Sequence, residues 1–164
     1  MNKIDKKVIE LMQNIKLIVF DFDGVFTDNS VFVDQNGVES VRCSRSDGLG
    51  LRLLDKINIQ YCIISSEVNP VVTIRAKKLK IDVTQGHNDK LVILREIVNT
   101  KNLKMNNIAY VGNDINDLEA MSHAKVRICP NDAEDSIKEI SNIILERNGG
   151  KGVIREIFSL LTTE

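Results

Sequence analysis

Proline is scarce in this 164-residue chain, at 2 residues, which leaves little room for a disordered linker. Cysteine is scarce too. Cys43, Cys62 and Cys129 are odd in number, widely spaced and in no Cys-x-x-Cys or Cys-x-x-His arrangement, so no structural zinc is expected. Cys62 and Cys129 lie in apolar runs and read as small buried residues, and nothing calls for a catalytic thiol. An excess of one charge is also lacking. The 22 Lys+Arg against 23 Asp+Glu leave a net charge of −1, too little to hold the chain to nucleic acid or an anionic membrane. No apolar run approaches the roughly 20 residues that cross a bilayer. The basic opening Met1–Lys7 is followed by neither an apolar stretch nor a small-residue cleavage site. These absences predict a soluble, cytoplasmic protein with no nucleic-acid and no membrane partner.

What is present is apolar content of 43%, enough for a packed core, at a length that suits a single domain spanning 1–164. Short apolar runs at Leu17–Phe20, Tyr61–Ile64, Ile81–Val83, Ile108–Val111 and Val126–Cys129 alternate with amphipathic stretches. Those stretches are Leu49–Ile57, Val71–Leu79, Lys90–Val98 and Asn116–Ser122; in the third, Leu91, Leu94, Ile97 and Val98 form one stripe. Continuously apolar strands alternating with helices predict an α/β fold, a three-layer parallel sheet covered on both faces. One stretch breaks the pattern. Ser30–Val33 and Val38–Val41 flank Asp34-Gln35-Asn36-Gly37, a strong hairpin signal. A hairpin inserted after the first strand would overhang the carboxyl edge of the sheet, where such folds bind ligands, and is expected as a flap.

The sharpest signal is Asp21-Phe22-Asp23-Gly24-Val25-Phe26-Thr27-Asp28, directly after the first strand. Carboxylates at i and i+2 on extended backbone point the same way. Crowded like charges raise a pKa or recruit a cation, and hard oxygen ligands favour Mg²⁺. A calcium loop is excluded, because its fifth and twelfth positions would be Val25 and Phe32. Three polar clusters follow other strand runs: Ser65-Ser66-Glu67, Gln85-Gly86-His87-Asn88-Asp89-Lys90, and Gly112-Asn113-Asp114-Ile115-Asn116-Asp117. Acid pair, hydroxyl, lysine and acid cluster at successive strand ends make a phosphoryl site.

At these residues, over roughly 15–161, the sequence resembles the haloacid dehalogenase superfamily of phosphotransferases. The resemblance implies Asp21 as nucleophile, Asp23 as general acid and base, and Ser65 and Lys90 holding the phosphoryl group. It also implies Mg²⁺ among Asp21, Asp23, Asn113 and Asp114. Within the superfamily the chain resembles the small, cap-less branch of sugar-acid phosphatases. The features that match are Asp-Gly-Val-Phe-Thr-Asp, the hairpin, Arg45-Ser46-Asp47-Gly48, Gln85-Gly86 before Lys90, and Gly149–Glu156. That branch implies a homotetramer, a sugar-acid phosphate substrate, and no cap domain. Its substrate-binding positions correspond here to Thr27, Arg45, Ser46, Asp47, Gly48, Arg52, Ser66, Glu67, Arg75 and Lys78.

Two departures stand out. Glu67 takes the place of an arginine found in 3-deoxy-octulosonate 8-phosphate phosphatases. With Lys78 it resembles the nonulosonate (sialic-acid-type) 9-phosphate phosphatases, so the nine-carbon substrate is the leading expectation and the eight-carbon one the alternative. Asn113 replaces the metal-binding aspartate and brings an oxygen without charge, which leaves a weakly active assembly or binding module as an alternative of another class. A receiver domain is disfavoured, because Tyr61–Ile64 ends in Ser65-Ser66 instead of a phosphoacceptor aspartate. His87 and His123 read as structural or surface groups.

Overall fold

The computed structural model describes residues 10–162. The run Leu17–Phe20 forms β1, buried throughout. Its alternating side chains enter two separate cores: Ile18 and Phe20 one, Leu17 and Val19 the other. A strand covered on both faces belongs to the middle of three layers.

The hairpin strands β2 (Thr27–Val33) and β3 (Glu39–Cys43) follow. Next come α1 (Arg45–Lys56), β4 (Gln60–Ser65), α2 (Val71–Leu79), β5 (Asp82–Gln85) and α3 (Lys90–Thr100). The remaining elements are β6 (Ile108–Val111), α4 (Leu118–His123), β7 (Val126–Cys129), α5 (Asp135–Ile140), β8 (Ile143–Ile144) and α6 (Val153–Thr162). Six parallel strands form one sheet in the order β5-β4-β1-β6-β7-β8. Leu51 and Leu54 of α1, Val72 of α2 and Ile157 of α6 fill one core; Leu94 of α3, Met121 of α4 and Ile137 of α5 fill the other. Cys62 and Cys129 are buried, as expected. Among the described residues no helix is long and apolar enough to cross a membrane.

The expected α/β architecture and hairpin are present, with shifted boundaries. Helix α1 starts at Arg45, four positions before the apolar periodicity begins, because Ser44 caps it: its hydroxyl accepts the Ser46 N–H at 3.1 Å. Gly48 and Gly50 argue locally against helix there, but packing decides. A Cβ at Gly50 would lie 2.8 Å from the Arg155 nitrogen, so the missing side chain lets α1 and α6 approach backbone to backbone. The hairpin strands also run further back toward the sheet, to the Thr27–Cys43 pair, with an irregularity between Thr27 and Val31 where Asn29 takes φ 61°.

The chain winds outward from β1 in both directions, through β4 on one side and β6 on the other. The carboxyl end of β1 is therefore the switch point where an open α/β sheet forms its ligand crevice. The hairpin leans over the neighbouring end of β4, where Asn69 donates to Glu39 at 3.2 Å.

Candidate active site

Asp21 is the first residue beyond β1 and remains tied to the sheet by its N–H to the Val111 carbonyl at 2.9 Å. Only 4% of it is exposed. One carboxyl oxygen accepts the Phe22 N–H at 2.7 Å and lies 2.9 Å from the Lys90 ammonium. Lys90 opens α3, the helix capped by Asp89, and is itself 2% exposed. Its ammonium also donates to Asp117 at 2.7 Å. Asp117 is fully buried and takes further hydrogen bonds from the Tyr110 hydroxyl at 3.1 Å and the Asn113 N–H at 3.0 Å.

The electrostatics follow from this geometry. Burial pushes the Asp21 carboxyl well above the ordinary range and nearby Asp117 adds to the rise, against the pull of Lys90 and the Phe22 N–H. Burial works against the Lys90 charge, but Asp21 and Asp117 outweigh it and hold the ammonium above its usual value. Burial together with Asp117 likewise raises the Tyr110 hydroxyl far enough to keep it a neutral donor. Two buried carboxylates around one ammonium leave an excess negative charge, which favours a further cation at the site.

Asp23 sits past Phe22 on the same side, partly exposed. Burial raises its carboxyl, Glu67 and Glu39 raise it further, and a hydrogen bond from Thr27 opposes them. Gly24 then turns the chain with φ +75°. A Cβ there would lie 2.0 Å from the Asn113 amide nitrogen, so only glycine lets the Asn113 side chain reach the acid pair. Asp21, Asp23, Asn29, Asn113, Asp114, Ile115 and Asn116 line a cavity of about 200 Å³. The Asn113 side-chain oxygen is buried with no hydrogen-bond partner. An orphaned amide oxygen beside two carboxylates is a donor set that fits a hard divalent cation.

Ser65 ends β4 almost fully buried, its hydroxyl accepting the Glu67 N–H at 3.1 Å. The Ser66 hydroxyl accepts from the Asn116 side chain at 3.1 Å. Glu67 accepts the Val68 and Asn69 N–H groups at 2.7 and 2.8 Å at the approach to α2, and helps to line a second cavity of about 210 Å³ under the hairpin.

Other expected site residues lie elsewhere. Thr27 is fully buried, and its hydroxyl donates to Asp23 at 3.3 Å, bracing the acid. Asp47 is also fully buried, in the α1–α6 seam, where it accepts the Ile154 N–H at 3.1 Å; Gly48 lies against Leu79. Arg75 is half-buried and donates to the Ser44 carbonyl at 3.0 Å. Arg45, Ser46, Arg52 and Lys78 are exposed, and the lining of neither cavity includes them. His87 and His123 are exposed. The sequence pattern gave no separate role to Tyr110 or Asn116, and it placed Asp117 only within the acid cluster after β6. The structure gives Asp117 to Lys90. An acidic residue near the start of a helix, facing a lysine that opens another helix, was the available signal.

The haloacid dehalogenase-like hydrolase family matches residues 54–157. The 3-deoxy-D-manno-octulosonate 8-phosphate phosphatase of Yersinia pestis is 30% identical over 155 residues, covering 94% of this chain and 83% of that protein. The enzyme of the same name from Escherichia coli K12 is 28% identical over 159 residues, covering 96% and 85%. Among solved structures, the Moraxella catarrhalis 3-deoxy-D-manno-octulosonate 8-phosphate phosphatase, in complex with magnesium, phosphate and its sugar acid, superposes with a TM-score of 0.90 at 30% identity. It covers 95% of this chain and 90% of its own.

Proposed function

Because the chain belongs to the haloacid dehalogenase-like hydrolases, in the branch of the sugar-acid phosphatases, we propose that it removes the terminal phosphate of an eight-carbon 3-deoxy-octulosonate 8-phosphate. The observation that carries the reading is the cavity shared by Asp21, Asp23 and the unpartnered Asn113 oxygen, with Lys90 paired to Asp21.

In this reading an Asp21 oxygen attacks phosphorus, and the bond from phosphorus to the sugar oxygen breaks as the aspartyl–phosphate bond forms. Asp23, whose proton affinity is raised by burial and by Glu67 and Glu39, gives its proton to the departing alkoxide. A water then attacks the aspartyl phosphate, yielding its proton to Asp23 and releasing phosphate and the Asp21 carboxylate. Lys90, locked between Asp21 and Asp117, keeps the nucleophile oriented and offers positive charge to phosphoryl oxygens; Ser65 stands at the end of the adjacent strand. Asp21, Asp23 and Asn113, with Asp114 beside them, would hold magnesium, which would neutralise part of the phosphoryl charge. The barrier is large. Phosphate-monoester hydrolysis calls for up to ~10²¹-fold acceleration, about 29 kcal/mol, so nucleophile, acid and cation are all needed.

The eight-carbon substrate replaces the nine-carbon expectation for two reasons. The relatives described above carry the octulosonate name. Glu67, the residue that favoured nine carbons, spends one carboxyl oxygen on two backbone N–H groups, and Lys78 is exposed on α2. Because Arg45, Arg52 and Lys78 lie outside the catalytic cavity, the reading has them meet a substrate carboxylate across a subunit boundary, in a cytoplasmic homotetramer. Guanidinium groups suit that task through their paired donors.

The test is release of phosphate from eight- and nine-carbon sugar-acid phosphates with magnesium. The expected result is a preference of about tenfold or more in kcat/KM for the eight-carbon ester, and loss of turnover with a chelator. Preference for nine carbons would overturn the substrate, and no release from either ester would overturn the phosphatase.

A further inference from the structure

We propose that Gly149 and Gly150, in the loop leading into α6, are positioning residues for Asp23: their bare backbone is the mould against which the Gly24–Thr27 turn closes. The inference rests on the phosphatase reading and concerns only its proton-transfer half.

The contacts are backbone to backbone. A Cβ at Gly149 would lie 2.1 Å from the Gly24 carbonyl oxygen, 2.7 Å from the Gly24 carbonyl carbon and 2.9 Å from the Thr27 carbonyl oxygen. None of these atoms is the tip of a flexible side chain that could swing aside. Gly150 takes φ +65°, and a Cβ there would meet the Asp28 nitrogen and the Thr27 carbonyl carbon at 2.7 Å. The loop is also bonded in place: the Gly150 N–H donates to the Val25 carbonyl at 3.0 Å and the Gly149 N–H to Asp132 at 2.8 Å. Asn113 presses on Gly24 as well. The turn is therefore held between the metal-side amide and the Gly149–Gly150 loop.

Inside that turn the Thr27 hydroxyl accepts the Gly24 N–H at 3.2 Å and donates to Asp23 at 3.3 Å. Displacing the turn moves Thr27, and Thr27 carries Asp23. Asp21 is insulated from such a shift, because it is fixed by Lys90, by the Phe22 N–H and by its own N–H to the Val111 carbonyl. A side chain at position 149 should therefore disturb the acid and spare the nucleophile.

That asymmetry gives a readout that a general loss of stability would not produce. A sugar alkoxide needs a proton to depart, whereas p-nitrophenolate leaves without one. Because kcat/KM counts only the steps through departure of the leaving group, before Asp23 takes a proton from water, Gly149→Ala is expected to lower kcat/KM for a sugar-acid phosphate by about 10²-fold, the cost of misplacing a reacting group by roughly an ångström, and for p-nitrophenyl phosphate by about threefold or less. Asp23→Asn should distort the ratio of the two rates in the same direction. Should Gly149→Ala fail to fold, Asp132→Ala carries the test. Asp132 is exposed, and its loss releases only the Gly149 N–H, so the same skew should appear at about tenfold. Equal losses on both esters, or an unchanged ratio in a folded variant, would overturn the inference. A wild-type chain that hydrolyses neither ester would instead overturn the phosphatase reading on which it rests.

Discussion

The Lys90 ammonium lies 2.9 Å from Asp21, and both groups are all but sealed from water. One is the first residue past a strand and the other the first of a helix, so strand-end and helix-start geometry alone brings cation and nucleophile together. Asp117 completes the arrangement by holding the ammonium from the far side at 2.7 Å.

Removing that cation should therefore harm fold and chemistry together. Lys90→Met keeps the volume but leaves Asp21 and Asp117 as unpaired buried acids. The expected cost is about 3–5 kcal/mol in urea unfolding, with loss of turnover. A variant as stable as the parent would show that the ammonium does not offset those charges.

Asn113 is the member of the donor set without charge. Asn113→Asp adds a carboxylate beside Asp21 and Asp23 and should tighten magnesium by about tenfold, read as the magnesium concentration for half-maximal rate. Unchanged magnesium dependence would place the cation away from residue 113.

Asp47, outside the lining of the catalytic cavity, offers a pH test. Burial in the α1–α6 seam pushes its carboxyl up to about 7, against the Ile154 N–H, Arg75 and Arg147, from an ordinary value of 3.8. The folded state thus keeps a proton that the unfolded chain has released. This contribution to stability is complete below about pH 4 and fades as pH rises through about 7, by at most about 4 kcal/mol. Urea midpoints measured across that window should fall with pH in the parent and run flatter in Asp47→Asn. Parallel slopes would show that Asp47 does not titrate there.

Much of this was legible in the chain, for physical reasons. Leu17–Phe20 and Ile108–Val111 are apolar on both faces, and only a covered parallel sheet accepts such strands. The Asp34–Gly37 turn marked the hairpin because few sequences accept its backbone. The start of α1 was not legible, since two glycines lower local helix propensity and the packing that overrides them comes from α6, about a hundred residues later. The same distance hid the role of Asp47. Sequence places it among substrate-facing residues next to Arg45 and Ser46, while the fold turns it inward to Ile154. The bracing role of Thr27 was hidden for a subtler reason: one turn holds both the acid and its brace, and only the fold turns the hydroxyl toward Asp23.

The central claim is that Asp21 takes the phosphoryl group covalently. Quenching turnover with borohydride converts an aspartyl phosphate to homoserine, and peptide mass mapping locates the change. The account predicts modification at position 21, dependent on magnesium and on substrate. Modification at another acid, or steady turnover with no modified residue, would contradict it.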